Sequence, residues 1–286
     1  MEVFFPRTLA ELWPLMAEYP TGAVLAGGTD LLVKMRKNGD RPPALFVLER
    51  LAELRQIAVE GGGLHIGAAV TISELAASDI VRKALPALWQ AAAVLGSPPV
   101  RHSATLGGNV CTASPAGDTL APLYVFDAVV VVAGAAGRRC LPIGDFIAGP
   151  GRTALATGEI VTGVVVPLPP AGAFSAYYKV GKRQAMAIAV ASLAVCLEQA
   201  GDGSVEKIRL AWGSVGPTVI SLPAVEAFLR GRRLSPAVLR QAGDMAAAAV
   251  RPIDDVRAGA DYRRQLAGNL LLKLAAVGDR EQEDGR

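Results

Sequence analysis

Arg101-His102-Ser103-Ala104-Thr105-Leu106-Gly107-Gly108-Asn109-Val110-Cys111-Thr112-Ala113-Ser114-Pro115-Ala116-Gly117-Asp118 gathers glycines, hydroxyls, an amide and a carboxylate between two regular regions. A plain connection does not need that chemistry. Thr105, Asn109, Thr112 and Ser114 can donate to phosphate or sugar oxygens, and Asp118 can accept from sugar hydroxyls. The alternative is a hydroxyl-rich turn with no ligand.

About eighty residues upstream stands a second glycine segment, Val24-Leu25-Ala26-Gly27-Gly28-Thr29-Asp30-Leu31-Leu32. Paired glycines let backbone approach a ligand, and successive N–H groups in such a turn form a nest for phosphate oxygens. A simple strand-to-helix connection would also explain it. Neither segment is G-x-G-x-x-G opening a helix after a strand, and no G-x-x-x-x-G-K-[ST] occurs. Two separate nests suit a long dinucleotide lying between two lobes, gripped from both sides.

Around these segments the pattern is α+β. Helical spacing of Leu9, Leu12, Trp13, Leu15 and Met16 predicts a helix to Glu18 with Thr8 as N-cap. Strands are expected at Ala23 to Ala26, Ala44 to Leu48, Ile57 to Val59, Leu64 to Ala69, Ala128 to Ala133, Arg139 to Ile143 and Glu159 to Val166, the last stopped by Pro167. Helix is expected at Ser73 to Ala76 and at Val81 to Leu95, and a helix or tight turn from Leu31 to Arg36. His65 lies in an alternating strand with no second candidate ligand nearby and is assigned no chemistry.

Pro167-Leu168-Pro169-Pro170-Ala171-Gly172 marks a boundary. Beyond it come three strands, Phe174 to Val180, Ala187 to Glu198 and Glu206 to Trp212, then helices near Leu222 to Leu229, Pro236 to Val250 and Tyr262 to Ala276. A three-stranded antiparallel sheet backed by helices buries one face of each. The organisation expected is 1–170, with a first lobe over about 1–55 and a second over about 56–170, then 171–280, then a charged tail, 281–286.

Composition excludes several classes. Hydrophobic residues make up 51% of the 286, but no run of about 18 apolar residues escapes a charge or turn former, so no membrane span is expected. The start Met1-Glu2-Val3-Phe4-Phe5-Pro6-Arg7 is unlike a signal peptide, and Cys111, Cys140 and Cys196 are odd in number and widely spaced. A cytoplasmic protein with reduced thiols follows. Three cysteines cannot hold a four-thiolate iron–sulfur cluster. The net charge is only +3 with scattered basic residues, which argues against nucleic acid.

Ala26-Gly27-Gly28-Thr29-Asp30-Leu31, and Thr105-Leu106-Gly107-Gly108-Asn109 with Ala113-Ser114-Pro115 and Asp118, resemble the paired FAD motifs of the medium subunit of xanthine dehydrogenase and carbon monoxide dehydrogenase type enzymes. The resemblance continues through Gly158-Glu159-Ile160-Val161 and Phe174-Ser175-Ala176-Tyr177-Tyr178-Lys179 and covers nearly the whole chain. It implies a two-lobed FAD-binding domain of the vanillyl-alcohol-oxidase (PCMH) type and a small C-terminal domain. It also implies a cofactor set of Val24, Leu25, Ala26, Gly27, Gly28, Thr29, Asp30 and Leu31 from the first segment. Ala104, Thr105, Gly108, Asn109, Thr112 and Asp118 would come from the second, and Val161 and Lys179 from further on.

The same resemblance implies that a large molybdopterin subunit oxidises substrate, a small subunit with two [2Fe–2S] clusters carries the electrons, and FAD on this chain passes them to an external acceptor. The assembly implied is a dimer of such heterotrimers. The cysteine-rich insertion of the benzoyl-CoA reductase type is missing, and Cys111 inside the second motif reads as packing. No catalytic acid–base pair, nucleophile or metal site is expected here. Tyr177-Tyr178-Lys179 either tunes the flavin ring or packs a strand. The rival readings are a stand-alone FAD-dependent oxidase or dehydrogenase, and a flavin-free scaffold subunit. No histidine or cysteine is placed for covalent flavin attachment, and the intact glycine and hydroxyl sets speak against the scaffold.

Overall fold

The computed structural model describes residues 1–278; the charged tail expected at 281–286 lies outside the described residues. The chain divides into two compact units that do not follow the sequence end to end. The first comprises Met1–Ser78, Leu95–Ser114 and Asp127–Leu168, and the second Asp79–Val94, Pro115–Phe126 and the chain from Pro169 onward. Residues 79–94 and 115–126 thus belong to the second unit although they precede residue 170 in sequence. Helical periodicity reveals which face is apolar and says nothing of which neighbour covers it.

Within the first unit, β1 (Glu2–Phe4), β2 (Ala23–Leu25) and β3 (Ala44–Val47) form a parallel sheet ordered β1-β3-β2. The helix Leu9–Glu18 starts where expected, with the Thr8 side chain accepting from the Glu11 N–H at 3.2 Å. Its Leu12 and Met16, four residues apart, are buried in a core with Phe46 and Leu48. The helix Leu31–Asn38 ends at Gly39, whose φ of 75° provides the left-handed cap. β1 had no sequence signal, because three residues are too few to show alternation.

The other layer of this unit is a five-stranded antiparallel sheet of β4 (Ile57–Glu60), β5 (Gly63–Gly67), β6 (Val129–Gly134), β7 (Gly137–Pro142) and β10 (Glu159–Pro167), ordered β4-β5-β10-β6-β7. β8 (Ile147–Gly149) and β9 (Arg152–Thr153) make a small hairpin before β10. The 101–118 stretch is more regular than its composition suggested. Helices run over Pro98–Ser103 and Leu106–Thr112, the second capped by Thr105 and anchored by buried Leu106 and Val110.

The second unit has β11 (Phe174–Val180), β12 (Ala191–Gln199), β13 (Val205–Gly213) and a two-residue β14 (Ile220–Ser221) in sequential antiparallel order. The three expected strands are thus extended by a short fourth, and β12 starts at Ala191 rather than Ala187. Where one helix was expected at Val81 to Leu95 there are two, Asp79–Ala84 and Pro86–Val94. Pro86 removes an N–H and disfavours helix at Leu85. The helices Pro236–Ala249 and Ala260–Asn269 cross at Gly243 and Gly268, where a Cβ on either would fall 2.9 or 2.7 Å from the other's carbonyl oxygen. Trp212 is wholly buried beneath them and donates to the Ala267 carbonyl at 3.0 Å.

Candidate functional site

Both glycine segments meet in the first unit. Gly27 lies so close to the end of the helix Pro98–Ser103 that a Cβ there would stand 1.8 Å from the Ser103 carbonyl oxygen. Gly107 is pressed against Ala68 in the same way, with a Cβ falling 2.6 Å from that side chain. Glycine is required at both positions because backbone packs on neighbouring chain with no room between. Thr112 adds a polar tie, its hydroxyl standing 2.9 Å from the Gly108 carbonyl and 3.2 Å from the Asp30 carboxylate.

At this junction opens a cavity of about 420 Å³, within the range of about 300–1,000 Å³ common for small-molecule sites. Val24, Ala26, Gly27, Gly28, Thr29, Asp30 and Leu31 line it from the first segment. Ala104, Thr105, Gly108, Asn109 and Thr112 line it from the second, and Val161 from β10. Leu25 does not line it: side chains alternate along β2, so Val24 and Ala26 face the cavity together and Leu25 faces away. Lys34, Leu48, Leu95, Val100, Gly107, Cys111, Leu155, Glu159 and Ile160 also line it and were not in the expected cofactor set. Lys34 and Glu159 carried a findable signal, since each lies within four residues of a motif position.

The two segments present different chemistry. Among the described residues, the N–H groups from Gly27 to Leu31 form no hydrogen bond to a protein acceptor. In the second segment the Leu106 N–H donates to the Val70 carbonyl, Gly107 to Ala68, Asn109 to Thr105, and Gly108 to the Thr105 hydroxyl at 3.1 Å. Five donors in a row without a protein acceptor stand beside a turn at Gly28, φ 70°, the kind of chain that can take an anion.

Of the charged groups lining the cavity, Asp30 pairs with Lys34 at 2.6 Å. Glu159 is gripped by the Arg139 guanidinium at 2.8 and 2.6 Å and by the Ala156 N–H at 2.7 Å. Hydrogen bonding to Arg139 holds the Glu159 carboxyl down at about 2. Burial pushes the Cys111 thiol up to about 12, so it stays protonated and acts as a small packing group. A smaller hollow, about 310 Å³, lies over β4, β5, β6 and β10 and is reached by neither glycine segment.

Asp118 and Lys179 belong to the second unit. There Lys179 Nζ is 2.8 Å from one Asp118 oxygen, and the Tyr177 hydroxyl donates to the other at 2.7 Å. The Tyr177 N–H is held by Gln90 at 2.7 Å. Burial outweighs the pull of Lys179 and Tyr177 and keeps the Asp118 carboxyl above its ordinary value. Burial, reinforced by the Asp118 charge, pushes the Tyr177 hydroxyl well above its own. Among the described residues no group of three or more His, Cys, Asp or Glu could hold a metal ion.

Fold and cavity together define a flavoprotein-type scaffold, and comparison with known proteins gives the family. Residues 1–169 match the FAD binding domain in molybdopterin dehydrogenase, and residues 176–276 match the CO dehydrogenase flavoprotein C-terminal domain. The chain belongs to this molybdopterin dehydrogenase FAD-subunit family. It is 35% identical to a nicotinate dehydrogenase FAD-subunit of Eubacterium barkeri, over 82% of this chain and 81% of the relative. It is 32% identical to the xanthine dehydrogenase FAD-binding subunit of Escherichia coli O157:H7, over 93% and 92%. The solved carbon monoxide dehydrogenase of Hydrogenophaga pseudoflava, in a form lacking the Mo-pyranopterin moiety, superposes with a TM-score of 0.90 at 34% identity, over 96% and 95% of the two chains.

Proposed function

We propose that this chain is the FAD-carrying, electron-relaying subunit of a molybdenum hydroxylase. The observation that carries the reading is the row of open N–H groups from Gly27 to Leu31 in a cavity shared with the second segment. Diphosphate oxygens are the ligand that such donors satisfy. The group fits on two further counts: Gly27 and Gly28 leave a side-chain-free approach, and Val24, Leu31, Leu48, Val100, Ile160 and Val161 offer an apolar wall. FAD would supply the redox chemistry when bound.

The chain's own residues then bind and orient. The first segment takes the diphosphate and neighbouring groups through backbone N–H, and Thr105, Asn109 and Thr112 offer polar side chains. Ile160 and Val161 exclude water. Leu25, Asp118 and Lys179 complete the cofactor set that family resemblance assigns, within a flavin domain over 1–170 and a C-terminal domain over 171–280. No helix among the described residues is long and apolar enough to cross a membrane.

Relatives of this chain are medium subunits of multi-subunit enzymes. The assembly proposed is therefore a large molybdopterin subunit, a small [2Fe–2S] subunit and this chain, as a dimer of heterotrimers in the cytoplasm. The purified native complex and the isolated chain, each acid-treated, test the reading by identification of the released flavin. FAD from both, with iron–sulfur absorbance only from the complex, is the expected result. A folded chain without flavin defeats it, and turnover of a heterocycle or aldehyde by the chain alone would favour the stand-alone oxidase.

A further inference from the structure

A cavity that takes a diphosphate is poorly served by carboxylates, since like charges repel. This one is lined by two, Asp30 and Glu159, against a single cation, Lys34. Glu159 is already held by Arg139 and the Ala156 N–H. Asp30 stands inside the row of open amides itself, between Thr29 and Leu31. It is also the N-cap of the helix Leu31–Asn38, a position where an aspartate ordinarily turns its carboxylate onto the N–H groups of the first turn. Asp30 makes no such bond. Its Oδ2 is instead 2.6 Å from Lys34 Nζ and 3.2 Å from the Thr112 hydroxyl. The Lys34 N–H donates to the Asp30 carbonyl at 3.0 Å, which sets the two side chains one turn apart on one face.

We propose that Lys34 is a positioning residue for the diphosphate and acts through Asp30. It draws that carboxylate off the helix terminus and cancels its charge, so the amides from Gly27 to Leu31 meet the ligand without a rival acceptor. The inference rests on the function proposed above and adds to it a residue that the expected cofactor set lacks. Asp30 then serves the ligand through its N–H and the fold through its side chain, which ties the first segment to Thr112 of the second. With the ammonium removed, the carboxylate is free to cap the helix in the ordinary way and faces a dianion uncompensated. The Lys34 and Asp30 side chains are 53% and 44% exposed, so the pair adds little to stability and its effect falls on binding.

Equilibrium dialysis of the full-length chain, stripped of flavin, against FAD and separately against inorganic pyrophosphate tests this. Lys34→Met should bind both probes at least about fivefold more weakly than wild type, with the gap narrowing as salt is raised. Lys34→Arg should restore wild-type binding, because a cation again meets Asp30. The deciding variant combines Asp30→Asn with Lys34→Met: it lacks both charges and should recover most of the lost affinity. Urea midpoints of all these chains should stay close to that of wild type, which separates a binding effect from a folding one.

A Lys34→Met chain that binds both probes as wild type does overturns the proposal and leaves the proposed function standing. A double variant as weak as Lys34→Met also overturns it, since Asp30 would then have no part in the effect. So does a fall in the urea midpoint of Lys34→Met that accounts for its lost binding. A wild-type chain that binds pyrophosphate but not FAD, with binding weakened by Lys34→Met and recovered in the double variant, would defeat the proposed function and leave the role of Lys34 standing.

Discussion

The two glycine segments have similar composition and solve different problems. The first leaves its N–H groups from Gly27 to Leu31 open and ends in Asp30, paired with Lys34 at the cavity with side chains 44% and 53% exposed. The second folds into a capped helix that satisfies its own amides, and the chain then reaches Asp118, paired with Lys179 with side chains 8% and 11% exposed. A glycine pair therefore marks close backbone approach in both places, but only the first leaves a row of backbone donors without a protein acceptor. Composition alone cannot make that distinction, because it depends on where each N–H points.

The largest expected effect on flavin content comes from closing the first approach. Gly27→Ala puts a methyl 1.8 Å from a carbonyl oxygen that cannot yield without moving the helix Pro98–Ser103, and overpacking of this kind costs about 1–3 kcal/mol or more. The variant should purify without flavin, read by absorbance and acid release. Gly108→Ala is the comparison, since its Cβ meets only the Thr105 hydroxyl at 3.0 Å, and it should lose less flavin. Equal loss in both variants would erase the difference between the segments.

The aspartate–lysine pairs sharpen the comparison. Lys179→Ala strands a buried carboxylate, which costs about 3–5 kcal/mol, whereas Lys34→Ala removes an exposed pair worth about 0–1 kcal/mol. Urea unfolding of the two variants checks the ranking. Should Lys179→Ala fold and retain flavin with an unchanged reduction potential, the ring-tuning role of the Tyr177-Tyr178-Lys179 cluster is lost and the packing role remains.

Much of this was legible because the signals were local. Thr8 caps the first helix, Gly61 and Gly62 turn β4 into β5, and Gly27 and Gly28 stand at the cavity, all from short-range chemistry. What escaped was long-range. Nothing near Gln90 announces that its amide holds the Tyr177 N–H, and nothing near Asp118 announces Lys179, sixty-one residues on. The helix at Leu106–Thr112 was missed because Gly107 and Gly108 lower helix propensity, a cost offset by the Thr105 cap and by burial of Leu106 and Val110.

That cap sets the next effect in size. Thr105→Ala removes the acceptor of the Gly108 N–H, and loss of such a cap costs about 1 kcal/mol. Flavin affinity should fall modestly with it, because Thr105 and Gly108 both line the cavity. Thr105→Ser should restore stability by urea unfolding. A Ser variant as unstable as the Ala variant would show that the cap contributes less than the methyl packing of Thr105.

The smallest effect is lost in acid and concerns Glu159 on the cavity lining. Glu159 accepts from the Ala156 N–H and from Arg139, which also donates to the Ala154 carbonyl, and the hydrogen bonds from Arg139 and Ala156 lower its carboxyl from 4.5 to about 2. A depressed folded-state value stabilises the fold while the group is ionised. The contribution is therefore complete above pH 4.5 and disappears as pH falls through about 2. Glu159→Gln should be less stable than wild type by a constant margin from neutral pH down to about 4.5, with the margin closing below it. Urea midpoints measured for both proteins across that range give the answer. A margin that persists at low pH would mean that the side chain holds this wall by shape, leaving the open amides of the first segment as the cavity's main electrostatic feature.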